Sequence, residues 1–327
     1  MLDTLRLTPG QLDLAAQLLR GGQLVAFPTE TVYGLGADAL NPHAVAAIYQ
    51  AKGRPAHNPL IVHVADQACA QSLAQWNEAA QRLAQQFWPG PLTLVLPARP
   101  TVPAIVRAGG PSVALRMPAH PVALELLRLT GRPLAAPSAN RSGRLSPTTP
   151  EHVLKDLEGR IAAVILGGAT TAGIESTVLD VSDLVPRLLR PGPIAPQQLE
   201  RLLGKLHRQA PQPAPEGTQP LPSPGLLEKH YAPRTPLVLA SDHGMNICIE
   251  SRKAGLRVGW LGRPLREQSP PDPPAELLPD DASGFAAGLY AALHRLDQLD
   301  LDRIVVAALP TGEDWLAVRD RLRRAAA

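Results

Sequence analysis

A proline-rich stretch late in the chain limits the fold more than any other feature of the sequence. Residues 209–225 read QAPQPAPEGTQPLPSPG and contain six prolines. Each proline fixes the backbone φ angle and lacks an N–H group, so the stretch favours an extended, semi-rigid linker over a helix or a strand. The 327 residues are therefore predicted to form a large domain over residues 1–207, a linker over 208–235 and a smaller domain over 236–327.

The composition predicts a globular protein with an aliphatic core. Apolar residues make up 45% of the chain but aromatic residues only 3%, so Leu, Val, Ile and Ala must supply the core. The net charge of +3 allows an anionic ligand such as a nucleotide or RNA without singling one out. Cys69 and Cys248 are isolated in the sequence, which argues against a disulfide framework and against a zinc site.

The N-terminus and the apolar runs favour a soluble, cytoplasmic protein. The first residues, MLDTLRLTPGQLD, include acids and lack the apolar stretch of a signal peptide. No uncharged apolar run approaches the roughly 18 residues that a membrane helix needs.

Short apolar segments alternate with helix signals before the linker. Leu24–Phe27, Leu60–Val64 and Val113–Met117 have the length and composition of buried strands. Asn41 and Thr149, each followed by proline, mark helix starts. The alternation predicts an α/β domain, and its uneven spacing predicts a mixed sheet.

The residues after the linker repeat this pattern on a smaller scale. Leu237–Leu239, Val258–Leu261 and Ile304–Ala307 have strand character, and Phe285–Leu296 and Asp314–Leu322 have helix character. This predicts a second, smaller α/β domain, interrupted by a proline-rich loop between residues 270 and 279.

Polar clusters follow several strands of the large domain, where α/β folds place ligands. Pro28–Gly36 (PTETVYGLG) combines hydroxyl groups with glycines that let a ligand approach the backbone. Lys52 and Arg54, followed by Asn58, suit a polyphosphate. Simpler interpretations are a tight loop for the first cluster and cations at a helix C-terminus for the second. A strand histidine such as His63 is more often structural than a ligand.

Three more clusters occur further along the chain. Ser112 and Arg116 share one strand face, and a buried arginine needs either a ligand anion or a structural acid partner. Ala136–Gly143 (APSANRSG) is a dense donor loop suited to phosphate and ribose oxygens. Gly173–Asp180 (GIESTVLD) and Arg190 complete the set, with a solvated surface arginine as the alternative for Arg190.

The order of these motifs is more specific than any one of them. PTETVYGLG, KGRPAHNPLIVH, SVALRMP, PSANRSG, GIESTVLD and RPG follow one another over residues 9–200. Together they resemble the YrdC-like threonylcarbamoyl-AMP synthases. Ser223–Gly225, leading to the HYAP sequence of residues 230–233, resembles the two-domain, long form of that family.

The resemblance implies a fold and a reaction. The fold is a twisted mixed-sheet YrdC-like domain with a smaller Rossmann-like α/β domain. The reaction joins L-threonine, bicarbonate and ATP into threonylcarbamoyl-AMP with release of pyrophosphate, assisted by Mg²⁺ whose protein ligands remain unknown. The product serves the machinery that forms threonylcarbamoyladenosine in tRNA, and direct binding of tRNA to this chain stays open.

The resemblance also assigns site residues position by position. Those that match threonine contacts are Thr31, His63, Arg116, Ala136 (through its backbone) and Ser176. Those that match nucleotide contacts are Lys52, Arg54, Asn58, Ser112, Ser138, Asn140, Ser146, Arg190 and Tyr231. Lys52 and Arg54 are also the predicted catalytic residues, because this chemistry needs charge neutralisation rather than a protein nucleophile. Tyr231 matches a residue that folds back over the nucleotide, so the linker is expected to act as a lid.

Two alternative functions remain at this point. A carbamoyltransferase of the hydrogenase-maturation type contains a related domain but would carry paired CxxC motifs, which this sequence lacks. A non-catalytic RNA-binding module would present exposed aromatic side chains for base stacking, and aromatic residues are scarce here.

One departure from the family concerns residues 225–231 (GLLEKHY), which carry fewer basic and aromatic residues than is usual before the His-Tyr pair. This departure leaves the strength of the lid contact open.

Overall fold

The computed structural model describes residues 3–208, 231–264 and 274–327. Within these ranges the strands form two sheets, one of eleven strands before the linker and one of four strands after it. The proline-rich stretch at 209–225 lies outside the described residues and remains a prediction. Of the predicted loop at 270–279, residues 270–273 also lie outside them, but Ala275–Leu277 form a strand that pairs in parallel with Val258–Gly262, so the prediction of a loop is wrong there.

The larger sheet mixes parallel and antiparallel neighbours. Its strands are β1 (Leu5–Leu7), β2 (Val25–Phe27), β3 (Gly34–Asp38), β4 (Ile61–His63), β5 (Leu92–Pro97), β6 (Ser112–Arg116), β7 (Leu134–Ala135), β8 (Ala163–Ile165), β9 (Thr177–Asp180), β10 (Arg187–Arg190) and β11 (His207–Arg208). They lie in the order β1-β8-β2-β3-β7-β4-β6-β5-β9-β10-β11. The predicted mixed sheet is confirmed.

Helices cover this sheet, and two of them begin after the predicted capping residues Asn41 and Thr149. They are α1 (Leu12–Arg20), α2 (Pro42–Lys52), α3 (Gln67–Leu73), α4 (Glu78–Phe87), α5 (Pro121–Thr130), α6 (Pro150–Leu157) and α7 (Pro196–Leu203). The Asn41 side chain caps α2 by accepting hydrogen bonds from two backbone N–H groups, and Gly53 ends the helix at a left-handed φ of 59°. The helix therefore ends at Lys52, and Arg54 lies just beyond the terminating Gly53.

The second domain is a small parallel α/β unit. Its elements are β12 (Leu237–Leu239), α8 (Met245–Lys253), β13 (Val258–Gly262), β14 (Ala275–Leu277), α9 (Ala282–Leu296), β15 (Arg303–Val306) and α10 (Leu316–Ala325). The strands pair in parallel in the order β12-β15-β13-β14, which confirms the predicted Rossmann-like architecture. None of the helices in the described parts of either domain combines the length and the apolar character that a bilayer crossing requires.

The main difference from the sequence interpretation concerns Pro28–Gly36, which was expected to be a loop throughout. Its last residues begin β3, which pairs with β2 on one side and with β7 on the other. Two flanking strands satisfy the backbone groups of this glycine-rich segment, and its full burial outweighs the low strand propensity of glycine.

The two domains share a hydrophobic core. Val32, Leu145 and Ile174 of the first domain belong to the same buried cluster as Phe285 and Leu289 of α9. These side chains are shielded from water only when both domains are present, so burying them stabilises the association.

Gly173 marks the closest backbone approach between the domains. Its φ is 71°, and an added Cβ atom would lie 2.4 Å from the carbonyl oxygens of Ala286 and Ala287 in α9. Only glycine fits this position, both because of its backbone conformation and because of the space.

Candidate active site

Sheet topology brings three of the predicted site residues to one edge of the large sheet. Strand β6 ends at Arg116, and its antiparallel neighbour β5 begins at the same edge. Strand β9 is parallel to β5 and starts just after Ser176, while β10 is antiparallel to β9 and ends at Arg190. Arg116, Ser176 and Arg190 therefore meet although they are far apart in the sequence.

A cavity opens at this edge and extends towards the donor loop after β7. Every residue predicted to contact threonine lines it: Thr31, His63, Arg116, Ala136 and Ser176. It is also lined by four of the residues predicted to contact the nucleotide: Arg54, Ser138, Arg190 and Tyr231. The structure therefore brings the predicted threonine contacts and part of the predicted nucleotide contacts together in one cavity.

Arg116 is a buried cation with spare hydrogen-bonding capacity. Its Nη1 donates to Thr31 Oγ1 at 2.9 Å, and its Nε donates to the Gly90 carbonyl at 3.3 Å. Its Nη2 is ion-paired with Glu30 Oε1 at 2.6 Å and makes no hydrogen bond among the described residues. A buried donor of this kind favours an incoming anion.

His63 lies beside Arg116 on the neighbouring parallel strand β4, in register with it. Burial, together with the nearby Arg116 charge, lowers the pKa of His63 to about 3, so the imidazole is neutral at physiological pH. The Phe27 ring lies perpendicular to the imidazole, with the ring centroids 6.1 Å apart. The Nδ1 atom of His63 has no hydrogen-bond partner within the described chain. A neutral, partly unsatisfied imidazole can hydrogen-bond a ligand without adding charge.

Ser176 and Arg190 form another polar part of the cavity lining. Arg190 donates from Nη2 to Ser176 Oγ and from Nε to the Ser176 carbonyl, both at 3.1 Å. The Ser176 hydroxyl also lies 2.7 Å from Thr93 Oγ1. These contacts fix the hydroxyl and place a guanidinium at the cavity surface, which excludes the solvated-surface interpretation of Arg190.

Arg54 lines another part of the cavity, and Asn58 supports it from behind. Arg54 donates from Nη2 to Asn58 Oδ1 at 2.6 Å and to the Pro59 carbonyl at 2.7 Å. Burial lowers the pKa of Arg54 to about 10, which still leaves it charged at neutral pH. Asn58 is buried behind Arg54 and holds the guanidinium from the side away from the cavity.

Lys52 lies beneath the donor loop and not on the cavity surface. Its Nζ donates to the carbonyl of Ser138 at 2.6 Å and to the carbonyl of Asn140. Burial and the neighbouring Arg54 charge hold the pKa of Lys52 well below its ordinary value. The Asn140 side chain accepts from Ser138 Oγ at 2.6 Å. In this arrangement Lys52 and Asn140 shape the loop that presents Ser138.

Ser112 and Ser146 also lie away from the cavity surface. Ser112 starts β6, two residues before Ala114, which pairs with Ile61 of the cavity wall. Ser146 is fully buried and donates its hydroxyl to Glu175 Oε1 at 2.5 Å. Their predicted contacts with the nucleotide remain predictions.

Glu175 is a charged cavity residue that the sequence interpretation did not assign. It lines the cavity next to Ser176, and its Oε2 accepts from Arg321 Nε at 2.6 Å and from the Tyr290 hydroxyl at 3.1 Å. Burial would raise the pKa of Glu175, but Arg321 and Arg190 hold it below its ordinary value. The sequence signal was present, since an acid between Ile174 and Ser176 in a buried motif needs a cation, but the partner is 146 residues away.

Tyr231, the first residue described after the gap at 209–230, closes the cavity from the second-domain side. It is 1% exposed and has a left-handed φ of 63°. Its hydroxyl lies 3.4 Å from Arg190 Nη1, and the Arg321 guanidinium lies 5.1 Å from its ring centroid. Whether the rest of the linker acts as a lid concerns residues outside the described ranges.

The cavity is suited to anions. Three arginines, Arg54, Arg116 and Arg190, line it, while Glu30 is held by Arg116 and Glu175 by Arg321. Among the described residues, no group of three or more His, Cys, Asp or Glu side chains could hold a metal ion. The geometry favours binding carboxylate and phosphate groups over nucleophilic attack by the protein.

Comparisons with known proteins agree with this geometry. The family model described as Telomere recombination (Sua5, YciO and YrdC) matches residues 17–192. The model described as Threonylcarbamoyl-AMP synthase, C-terminal domain, matches residues 194–327.

Relatives match over nearly the full length of both chains. The threonylcarbamoyl-AMP synthase of Bacillus subtilis is 44% identical, covering 99% of this chain and 95% of the relative. The threonylcarbamoyl-AMP synthase of Pyrococcus abyssi is 40% identical, covering 98% and 95%. The crystal structure of P. abyssi Sua5 complexed with L-threonine matches with a TM-score of 0.93 at 38% identity, covering 99% of this chain and 97% of that one. The chain belongs to the threonylcarbamoyl-AMP synthase family, in its two-domain form.

Proposed function

We propose that this protein is an L-threonylcarbamoyladenylate synthase, a nucleotidyltransferase that uses L-threonine, bicarbonate and ATP in the cytoplasm. The observation that carries the proposal is the single cavity lined by all the residues predicted to contact threonine and by four predicted to contact the nucleotide. The P. abyssi Sua5 structure, which is a complex with L-threonine, supports threonine as the amino-acid substrate. The product would pass to the machinery that modifies tRNA.

In this proposal Arg116 receives the threonine carboxylate. Its Nη2 lacks a hydrogen-bond partner in the described chain, and its Nη1 is already oriented by Thr31. A planar guanidinium can donate two parallel hydrogen bonds to a carboxylate. Ser176 and neutral His63 would then orient the hydroxyl and amine ends of the substrate.

The bond-forming steps need positioned substrates rather than a protein nucleophile. The threonine amine attacks the carbon of bicarbonate, and loss of water gives the carbamate. A carbamate oxygen then attacks the α-phosphorus of ATP, and the bond to the bridging oxygen breaks as pyrophosphate leaves. Arg54 and Arg190 would neutralise the charge that develops on the phosphates, while Lys52 keeps the Ser138 loop in place.

We further propose that Mg²⁺ enters with ATP as part of the substrate. Mg²⁺ is usually held by substrate phosphates, water and one or two carboxylates. The nearby carboxylates, Glu30 and Glu175, are already committed to arginines, which fits a metal carried mainly by the polyphosphate.

The test measures pyrophosphate release in mixtures that each lack one of L-threonine, bicarbonate or ATP, with mass spectrometry of the product. We expect release only from the complete mixture, and much less when L-serine replaces L-threonine. Pyrophosphate release that needs carbamoyl phosphate instead of bicarbonate would favour the carbamoyltransferase. RNA binding without any turnover would favour the RNA-binding module.

A further inference from the structure

The wall of the cavity that carries Glu175 and Ser176 is held by the second domain. Among the described residues, the Glu175 carboxylate receives three donors, of which only the Ser146 hydroxyl belongs to the first domain. The other two are Tyr290 of α9, whose hydroxyl lies 3.1 Å from Oε2, and Arg321 of α10, whose Nε lies 2.6 Å from the same oxygen.

Arg321 has no route to solvent. Its side chain is 0% exposed, and its Nη1 pairs with Asp320 at 2.9 Å. A buried guanidinium is tolerated only when its charge and its donors are matched. Each of the two buried charges, on Glu175 and on Arg321, therefore depends on the other to stay buried, so the two side chains are held in place together.

The same guanidinium also supports the Tyr231 ring, with its central carbon 5.1 Å from the ring centroid. Tyr231 in turn meets Arg190 through its hydroxyl, and Arg190 holds both the carbonyl and the hydroxyl of Ser176. One arginine from the second domain is thus connected to three parts of the cavity lining: the Glu175–Ser176 segment, Arg190 and Tyr231.

We propose that Arg321 is a positioning residue of the active site, which sets the place of Ser176 through Glu175 and of Tyr231 through ring stacking. This proposal rests on the proposed function. It makes the second domain part of the substrate site, since a cavity built by the first domain alone would lack the cation that fixes Glu175.

The test is calorimetric titration of L-threonine into the full-length chain and into variants that circular dichroism shows to be folded at the assay temperature. Arg321→Met is expected to raise the threonine Kd at least tenfold, because the Glu175–Ser176 segment loses its anchor. Tyr290→Phe, which removes one donor to Glu175, is expected to raise it about threefold.

A matched control is Glu313→Gln. Glu313 also joins the two domains, through Gln197 and Arg208, but it lines a different cleft. We expect its threonine Kd to stay within twofold of the wild type, even if its melting temperature falls.

A folded Arg321→Met variant that binds threonine within twofold of the wild type would overturn the proposal and leave Arg321 a purely structural residue. If that variant does not fold, Arg321→Lys replaces it. Lysine keeps the charge but lacks the planar fork, so at least a threefold loss of affinity is expected, and wild-type affinity would overturn the proposal. Failure of the wild-type chain itself to bind L-threonine would instead defeat the proposed function.

Discussion

Arg116 and Arg321 are both buried, and each lies 2.6 Å from a glutamate, yet their surroundings differ. Each nitrogen of Arg321 has a partner in Glu175 or Asp320. Within the described residues, neither Arg116 Nη2 nor either carboxylate oxygen of its partner Glu30 makes a hydrogen bond. Under the proposed function, burial and an ion pair do not by themselves distinguish a ligand-binding arginine from an anchoring one. We infer that the donor without a hydrogen bond makes the difference.

The largest expected effect is on stability at the anchoring arginine. Arg321→Met leaves Glu175 buried without its main cation, and breaking a buried pair in this way costs about 3–5 kcal/mol. Urea denaturation followed by circular dichroism would measure the loss. Arg116→Met should cost less, because Arg321 pairs with Asp320 as well as with Glu175 and Glu30 is slightly more exposed than Glu175. Equal losses would remove the distinction between the two arginines.

The second-largest expected effect is on L-threonine binding at Arg116. Arg116→Met is expected to weaken L-threonine binding by about 2–3 kcal/mol, the value of a charge-assisted contact to a carboxylate. ATP affinity should remain within a few-fold, because Arg54 and Arg190 are unchanged. Parallel calorimetric titrations of threonine and ATP check both values. Unchanged threonine affinity would make the Glu30 pair a structural salt bridge.

A smaller effect is expected at the contact between Arg190 and Tyr231. Tyr231→Phe keeps the ring near Arg321 but removes the hydroxyl that lies 3.4 Å from Arg190. The expected rise in KM for ATP corresponds to about 1 kcal/mol or less. Tyr33→Phe is the matched control, since it removes another buried tyrosine hydroxyl, bonded to the Gly168 carbonyl. A larger effect in the control than in Tyr231→Phe would contradict the assignment.

The smallest expected effect concerns pH. The pKa of His63 is lowered to about 3 from an ordinary value near 6.5, so His63 stays neutral in the folded protein from pH 6 to 8. Threonine affinity should therefore vary less than twofold over that range. Stability contributed by neutral His63 is complete above the ordinary pKa and is lost as the pH falls from there towards 3. Threonine affinity that rises on acidification from pH 8 to 6 would show a charged His63.

The sequence predicted most of the architecture because its signals are local. The Asn41 cap and the Gly53 terminator lie within one helix, and the strand containing His63 is a short apolar run with clear ends. The β3 strand was not predicted, because its glycine-rich sequence forms a strand only between two neighbours that the chain supplies elsewhere.

The site was predicted only in part, because local motifs do not show which distant positions come into contact. Resemblance identified residues that converge on one cavity, including Arg116 and Ser176. It did not identify Glu175 with Arg321, since that pair joins positions 146 residues apart across two domains. In the sequence, Arg321 is simply one of several arginines in a C-terminal helix, and only the packing of α10 shows that it is the buried one.

The contact between Gly173 and helix α9 restricts how substrates can reach the cavity. Two backbones that touch without room for a methyl group leave no space for α9 to move closer, because its carbonyl oxygens would enter the chain beside Glu175. We therefore expect the proposed substrates to enter and leave while this contact is kept, so that turnover does not require the two domains to separate.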